Sequence, residues 1–135
     1  MSKSKFNFDA FDDMLKDIER LGGSSKEIAE NALKKARDQI NDEVKQEMPK
    51  HRRTGMTESS IKDAPIEWDG LVAKIPIGFD IDNGGYPSLF LVYGTPKMAK
   101  DEKLSKILDK RKGYRDKVLK EKMNQEYEKF MKKYM

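Results

Sequence analysis

The sequence predicts an α+β fold: N-terminal helices including one long amphipathic helix, then a three- to four-stranded antiparallel sheet, then C-terminal helices. Three observations predict it. Apolar residues recur at helical spacing up to Pro49, alternate with period two from Leu71 to Ile81, and return to helical spacing after Arg115.

The first helical pattern runs from Asp9 to Leu21, with Phe11, Met14, Leu15, Ile18 and Leu21 on one stripe. Asp9 is its expected N-cap, and Gly22 and Gly23 stop it. Ser24 and Glu27 then form a capping-box pattern, since a hydroxyl and a carboxylate three residues apart can satisfy two orphan amides reciprocally. The next helix carries Ile28, Ala32, Leu33, Ala36, Ile40 and Val44 on one stripe. It runs to Met48, roughly 35 Å in all, and Pro49 ends it.

Leu71, Ala73, Ile75, Ile77, Phe79 and Ile81 then alternate with Val72, Lys74, Pro76, Gly78, Asp80 and Asp82, the pattern of a strand with one buried face. Asp69-Gly70 suits a two-residue hairpin turn, which would place Ile66, Trp68, Leu71 and Ala73 on one face. Pro76 cannot donate to a ladder, so an edge position or a bulge is expected there. "LFLVYGT" reads as a third strand, from which Gly94 lets the chain leave the sheet. "KFNF" near the N-terminus is a candidate fourth strand, short for a reading by pattern. Asp101 is expected to cap a short helix with Leu104, Ile107 and Leu108, ended by Gly113. The last helix, from about Arg115, puts Leu119, Met123, Tyr127, Phe130 and Tyr134 on one face.

At 135 residues the chain accommodates one domain, a helix-plus-sheet core over residues 1–96 and a basic helical extension over 97–135. Charged residues make up 39% and hydrophobic residues 36%, with a mean hydropathy of −0.88, so the core is lean and packing against partners is expected to supply part of the order. The net charge of +4 is unevenly spread. Residues 1–96 hold 14 basic against 17 acidic side chains, and residues 97–135 hold 14 against 7. A basic final third can bind a polyanion, but alternating Lys and Glu in "KVLKEKMNQEYEKFMKKY" is more simply a solvated helix face. From this composition the 97–135 segment is expected to be partly disordered until assembly orders it.

The residues that carry chemistry are sparse. With no cysteine, thiolate metal sites, disulfides and cysteine nucleophiles are excluded. No apolar run has the length of a signal peptide core or a membrane span, so a soluble chain made in the cytosol, without membrane contact, is expected. His51 is the only imidazole, and neither Glu47 nor Glu58 stands at a spacing diagnostic of a metal site. There is no Gly-x-Ser-x-Gly elbow and no Walker-type loop, and "GFDIDNGG" lacks the spacing of a calcium loop. The sequence calls for no catalytic residue, no metal and no cofactor. "HRRTG" could gather Arg52, Arg53 and the Gly55 amide around an oxyanion, yet a helix exit, broken by Pro49 and turned at Gly55, is the simpler reading.

Two segments carry a resemblance. Pro49, Arg53, Thr54, Gly55, Ser60 and Ile61 follow the long helix, and Tyr86, Pro87, Val92, Gly94 and Thr95 follow the hairpin. In that order and spacing the chain resembles the small neck or tail-completion proteins of long-tailed bacteriophages and prophages, the Hong Kong 97-type gene-product-ten family. Their pattern joins an Arg-Thr-Gly-x-Leu-x-x-Ser-Ile to a Tyr-Ala-x-Tyr-Val-Glu-x-Gly-Thr. "GTPKMAKDEKLSKIL" is similar to a variant in which Gly-Thr-Pro-Arg-Met precedes a short amphipathic helix. The similarity spans residues 28–108. The chain departs from the family at Met56, at Tyr93, and at Val92, where an acid is usual.

The resemblance implies a virion structural protein at the head–tail junction, assembled in the bacterial cytoplasm and not an enzyme. Its partners would be head-closure, tail-terminator or tail-tube proteins, with copies of itself in a ring and transient contact with transiting DNA. Arg52, Arg53, Thr54, Tyr93, Thr95 and Lys97 become candidate interface or conduit contacts. The alternative reading is a nucleic-acid-binding module that uses the 50–55 loop and the C-terminal lysines, with steeply salt-dependent binding.

Overall fold

A computed structural model describes residues 4–51, 60–61, 65–70, 72–79, 85 and 88–133. Strand β1 (Ser4–Asn7) leads through a 3-10 turn (Phe8–Phe11) into α1 (Asp12–Arg20) and α2 (Ser25–Glu47). A second 3-10 turn (Met48–His51) closes α2, and the hairpin β2 (Glu67–Asp69) and β3 (Val72–Ile75) follows. Helices α3 (Ser88–Tyr93), α4 (Glu102–Leu108) and α5 (Tyr114–Lys132) complete the chain, with a 3-10 turn at Lys110–Lys112. The α+β class is as the sequence predicts, and the sheet has three antiparallel strands in the order β1-β3-β2.

The long helix forms as its stripe dictates, burying Ile28, Ala32, Leu33, Ala36, Ile40 and Val44. Ser24 caps it by accepting a hydrogen bond from the Glu27 amide at 3.2 Å. The next amide finds its acceptor across the turn: Glu19 takes hydrogen bonds from Ser25 N at 2.9 Å and Ser25 Oγ at 2.6 Å. Those two bonds hold the Glu19 carboxyl below its ordinary range. Gly23 is the tight point of this turn. A Cβ there would meet the Phe130 ring and lie 2.9 Å from Ile18 Cγ2. Gly23→Ala should therefore push α5 outward and lower stability by about 1 kcal/mol, the low end for overpacking because the Phe130 ring can shift; thermal unfolding measures it.

Four elements differ in their bounds from the sequence reading, and a fifth in kind. Helix α1 begins at Asp12, and the cap expected of Asp9 is made by Asn7, whose Oδ1 accepts from the Asp9 amide at 2.9 Å and opens the 3-10 turn instead. The candidate strand "KFNF" forms one residue earlier, with Phe8 in the 3-10 turn: β1 pairs with β3 from Ser4 opposite Ile75 to Asn7 opposite Val72, and buries Phe6. In the hairpin Trp68 pairs with Ala73 and Asp69 with Val72, so the turn lies one residue later than expected, with Gly70 at φ 60°. The predicted strand through Ile81 ends at Ile75. β3 is the central strand, and Pro76 falls just past its end rather than on an edge. Gly78, at φ 85°, turns the backbone out of the extended region, while Ile77 and Phe79 remain buried. The Gly78 amide donates to Asn41 Oδ1 at 2.8 Å, replacing the ladder bond it has left.

The largest correction concerns "LFLVYGT", which is helical over Ser88–Tyr93 and not a strand. Ser88 and Val92, four residues apart, are buried, while Phe90 and Tyr93, three apart, face outward. Gly94, at φ 75° with its amide donating to Phe90 O at 2.8 Å, is a helix C-terminal residue rather than a strand exit.

One core joins all of this. Phe6, Phe8, Leu33, Ile40, Ala73 and Ile75 from the N-terminal helices and sheet share it with Leu104, Ile107, Val118, Leu119 and Met123. Helix α5 packs along α2. Two polar ties reinforce that packing, Lys35 with the buried Glu126 and the Tyr114 hydroxyl with Glu43 at 2.7 Å, and a third joins α5 to α1, the Tyr127 hydroxyl with Asp17 at 2.9 Å.

Candidate interface

The described part of the second motif segment, from Ser88 on, folds into a compact unit. After Gly94 the chain makes a four-residue turn in which the Thr95 amide donates to Met98 O at 2.8 Å and the Met98 amide donates to Thr95 O at 3.2 Å. The Thr95 hydroxyl accepts from the Lys97 amide at 3.2 Å, so its polar atom serves the turn. Gly94 is sterically required here: a Cβ would stand 3.0 Å from Lys100 N and 3.1 Å from Met98 O. The Asp101 amide then donates to Leu91 O at 2.7 Å, fastening the returning chain to α3.

Asp101 does two things at once. Its Oδ1 caps α4 by accepting from the Lys103 and Leu104 amides at 3.0 and 3.1 Å, as the sequence predicts. Its Oδ2 lies 2.6 Å from His51 Nε2. An ionised carboxylate only accepts, so His51 Nε2 carries the proton and donates. Burial works to raise the Asp101 carboxyl, but the His51 bond and the two helix amides outweigh it and leave it below its ordinary 3.8. Glu47 stands beside this pair, 2.6 Å from Lys50 Nζ and 3.8 Å from Lys103 Nζ. The entry of the "HRRTG" segment is thereby tied to the start of α4, fifty residues on.

Because its native pKa is depressed, Asp101 stabilises the fold fully above about pH 4 and loses that contribution as pH falls through the native value. Asp101→Ala should cost about 1–2 kcal/mol at pH 7, the worth of a helix cap with a further hydrogen bond. The gap to the parent should narrow as pH falls below 4. Urea titrations at several pH values give both quantities.

Of the sequence-predicted contacts, Tyr93, Thr95 and Lys97 come together on this unit, and Arg52, Arg53 and Thr54 lie outside the described residues. Tyr93 is 50% exposed, and the pattern reading missed its companions, Phe90 at 40% and Met98 at 41%. Among the described residues only Leu21 joins them as an exposed large apolar side chain. The signal was the i, i+3 spacing of Phe90 and Tyr93, hidden by the strand reading. Cations surround the patch. Lys97 and Lys100 are exposed on the turn, and Arg111 and Arg115 lie within electrostatic reach of Tyr93. Arg111 forms a fork with Asp109 at 2.8 and 3.1 Å, which pulls that carboxyl down to about 2. Arg115 is more deeply placed and donates to Leu108 O at 2.8 Å, and burial lowers its guanidinium from the ordinary value.

Such a surface can bind a complementary protein face, with aromatic and methionine anchors inside a cationic rim. No cluster of three or more His, Asp or Glu able to hold a metal occurs among the described residues, and no described helix is long and apolar enough to cross a membrane. In comparisons with known proteins, no family model, no curated protein and no solved structure matches the chain.

Proposed function

We propose that the chain is a structural protein of the head–tail junction of a long-tailed bacteriophage or prophage, acting by docking rather than catalysis. The observation that carries this reading is the Phe90, Tyr93 and Met98 patch. It lies on the unit that bears one of the two resembling motifs and is clamped through His51 and Asp101 to the entry of the other. Exposed aromatic and Met side chains over a fixed turn suit protein docking, where buried anchors carry most of the binding energy. Neighbours in the neck would cover this patch, and a ring of copies would multiply modest contacts.

The test is electron microscopy of lysates from the source phage with the gene deleted. DNA-filled heads and finished tails lying unjoined are expected, and intact tailed virions would overturn the proposal. A sharper expectation concerns the patch. Tyr93→Ala combined with Met98→Ala should change stability by less than about 1 kcal/mol, because both side chains are half exposed. The same pair should lower complementation of the deletion by at least about tenfold, measured as plaque titre.

A further inference from the structure

We infer that the α3–α4 face binds a short acidic segment of a neighbouring protein. A large apolar side chain of that segment seats among Phe90, Tyr93 and Met98, and its flanking Asp or Glu side chains meet Lys97, Lys100 and Arg111. The inference rests on the docking reading above, which leaves the chemistry of the partner open, and supplies that chemistry.

Backbone geometry brings these residues to one place. Phe90 and Tyr93 stand one helical turn apart at the C-terminal end of α3. The turn that follows is closed by the bridge between Thr95 and Met98, and the backbone of Met98 and Lys100 packs on Gly94. The Asp101 amide then bonds to Leu91 O at 2.7 Å. Met98 and Lys100 are thereby held against the end of α3, and Arg111 lies within electrostatic reach of Tyr93 there. A face already ordered in the free chain costs less to dock on.

Area decides between a segment and a broad face. Phe90, Tyr93 and Met98, each about half exposed, together offer on the order of 250 Å². A stable interface between domains covers about 800 Å² on each partner. The patch therefore suits one or two inserted side chains with their flanks, and the flexible thioether of Met98 lets its wall fit them.

Charge decides what the flanks carry. Residues 88–117 hold nine basic and four acidic side chains. Two of those acids are spent inside the protein, Asp101 on His51 and the α4 amides, Asp109 on Arg111, and both are nearly buried. The ammonium groups of Lys97 and Lys100 have no carboxylate partner among the described residues. Arg111 keeps its side chain 82% exposed although it grips Asp109. Cations placed in this way favour an acidic partner and disfavour a basic one. A nucleic-acid strand would also answer to the lysines, but it repeats a charge at every phosphate. Here three cations ring an apolar centre, Glu102 is exposed two residues on from Lys100, and Met98 offers a base no flat platform.

The experiment selects a library of random displayed peptides on the immobilised full chain at low salt. Enriched peptides are then synthesised and titrated by fluorescence anisotropy into the parent and two variants, Tyr93→Ala with Met98→Ala and Lys97→Glu with Lys100→Glu. All four side chains are exposed, so both variants should fold. Enriched peptides should carry net negative charge around at least one large apolar residue. Their affinity should weaken about tenfold or more in each variant, and fall in the parent as salt rises. Exchanging the acids of a peptide for lysines should abolish its binding to the parent and restore binding to the Lys97→Glu, Lys100→Glu variant, a rescue that misfolding cannot produce. No enrichment over the bare support, enriched peptides without an acidic excess, variants that bind like the parent, or an exchanged peptide that fails to rescue would each overturn the inference. Single-stranded oligothymidylate that displaces the peptides, and loses its own binding in the lysine-reversed variant, would overturn it in favour of nucleic acid. None of these results bears on whether deletion leaves heads and tails unjoined, so the two proposals fail separately.

Discussion

Replacing Phe8 with alanine is expected to lower folding stability by about 3–5 kcal/mol, the range for deleting a fully buried aromatic ring. Phe8 is 0% exposed, and its ring centroid lies 5.3 Å from Trp68 and 5.8 Å from Phe11. It follows directly on β1, the strand that covers one side of the central strand β3. Losing the ring would loosen the edge of the sheet and the wall against which Trp68 rests while its indole N–H reaches Glu30. Chemical denaturation should show a lower midpoint with an unchanged slope. Trp68 is the only tryptophan, so its fluorescence reports this corner alone. A loss under about 1 kcal/mol would mean that the N-terminal strand is an appendage rather than a member of the sheet.

That strand marks a limit of pattern reading. Four residues with one aromatic carry too little periodicity to be read alone, and what makes Ser4–Asn7 a strand is its partner, β3, almost seventy residues on. The same holds for "LFLVY". A short apolar run fits strand or helix equally by composition, and here Ser88 and Val92 are buried while Phe90 and Tyr93 are not, a helical division. Helix α2 was legible because its stripe repeats over more than four turns and its capping serine precedes it. In the hairpin the face was legible, since Trp68 and Ala73 share it, but the register was not, because Asp-Gly can stand at more than one turn position.

The candidate interface divides in the same way. Gly94, Thr95 and Lys97 could be singled out because Gly-Thr-Pro is a local turn signal. Asp101 was legible as a helix cap for the same local reason. Its pairing with His51 was not, since that contact arises only when α4 folds back onto the exit of α2. Spacing singled out neither Phe90 nor Met98. The exposure of Phe90 depends on which face α3 turns to α4, a question of packing that spacing poses but does not answer.

The expectation that residues 97–135 await assembly before ordering is opposed by the packing of α5, and Met123 tests it. Low hydropathy suggested too little apolar surface to offset chain entropy. Yet Val118, Leu119 and Met123 are buried against α2, and Met123 is 0% exposed. The charged residues that dilute the composition also hold the helix down: the buried Glu126 pairs with the half-exposed Lys35, Glu43 receives the Tyr114 hydroxyl, and Asp17 receives that of Tyr127. Such a pair adds little net stability by itself, but separating it would leave a buried carboxylate uncompensated. Met123→Ala should therefore cost about 2–5 kcal/mol, and Met123→Leu, which keeps the volume, less than about 1.5 kcal/mol. Amide exchange in the isolated parent should show residues 118–126 protected to the same degree as the middle of α2, because both open only when the shared core opens. In Met123→Ala that protection should fall across α5 and α2 together. Fast exchange throughout 118–126 in the parent, with α2 still protected, would return the C-terminal segment to an element ordered by its partners.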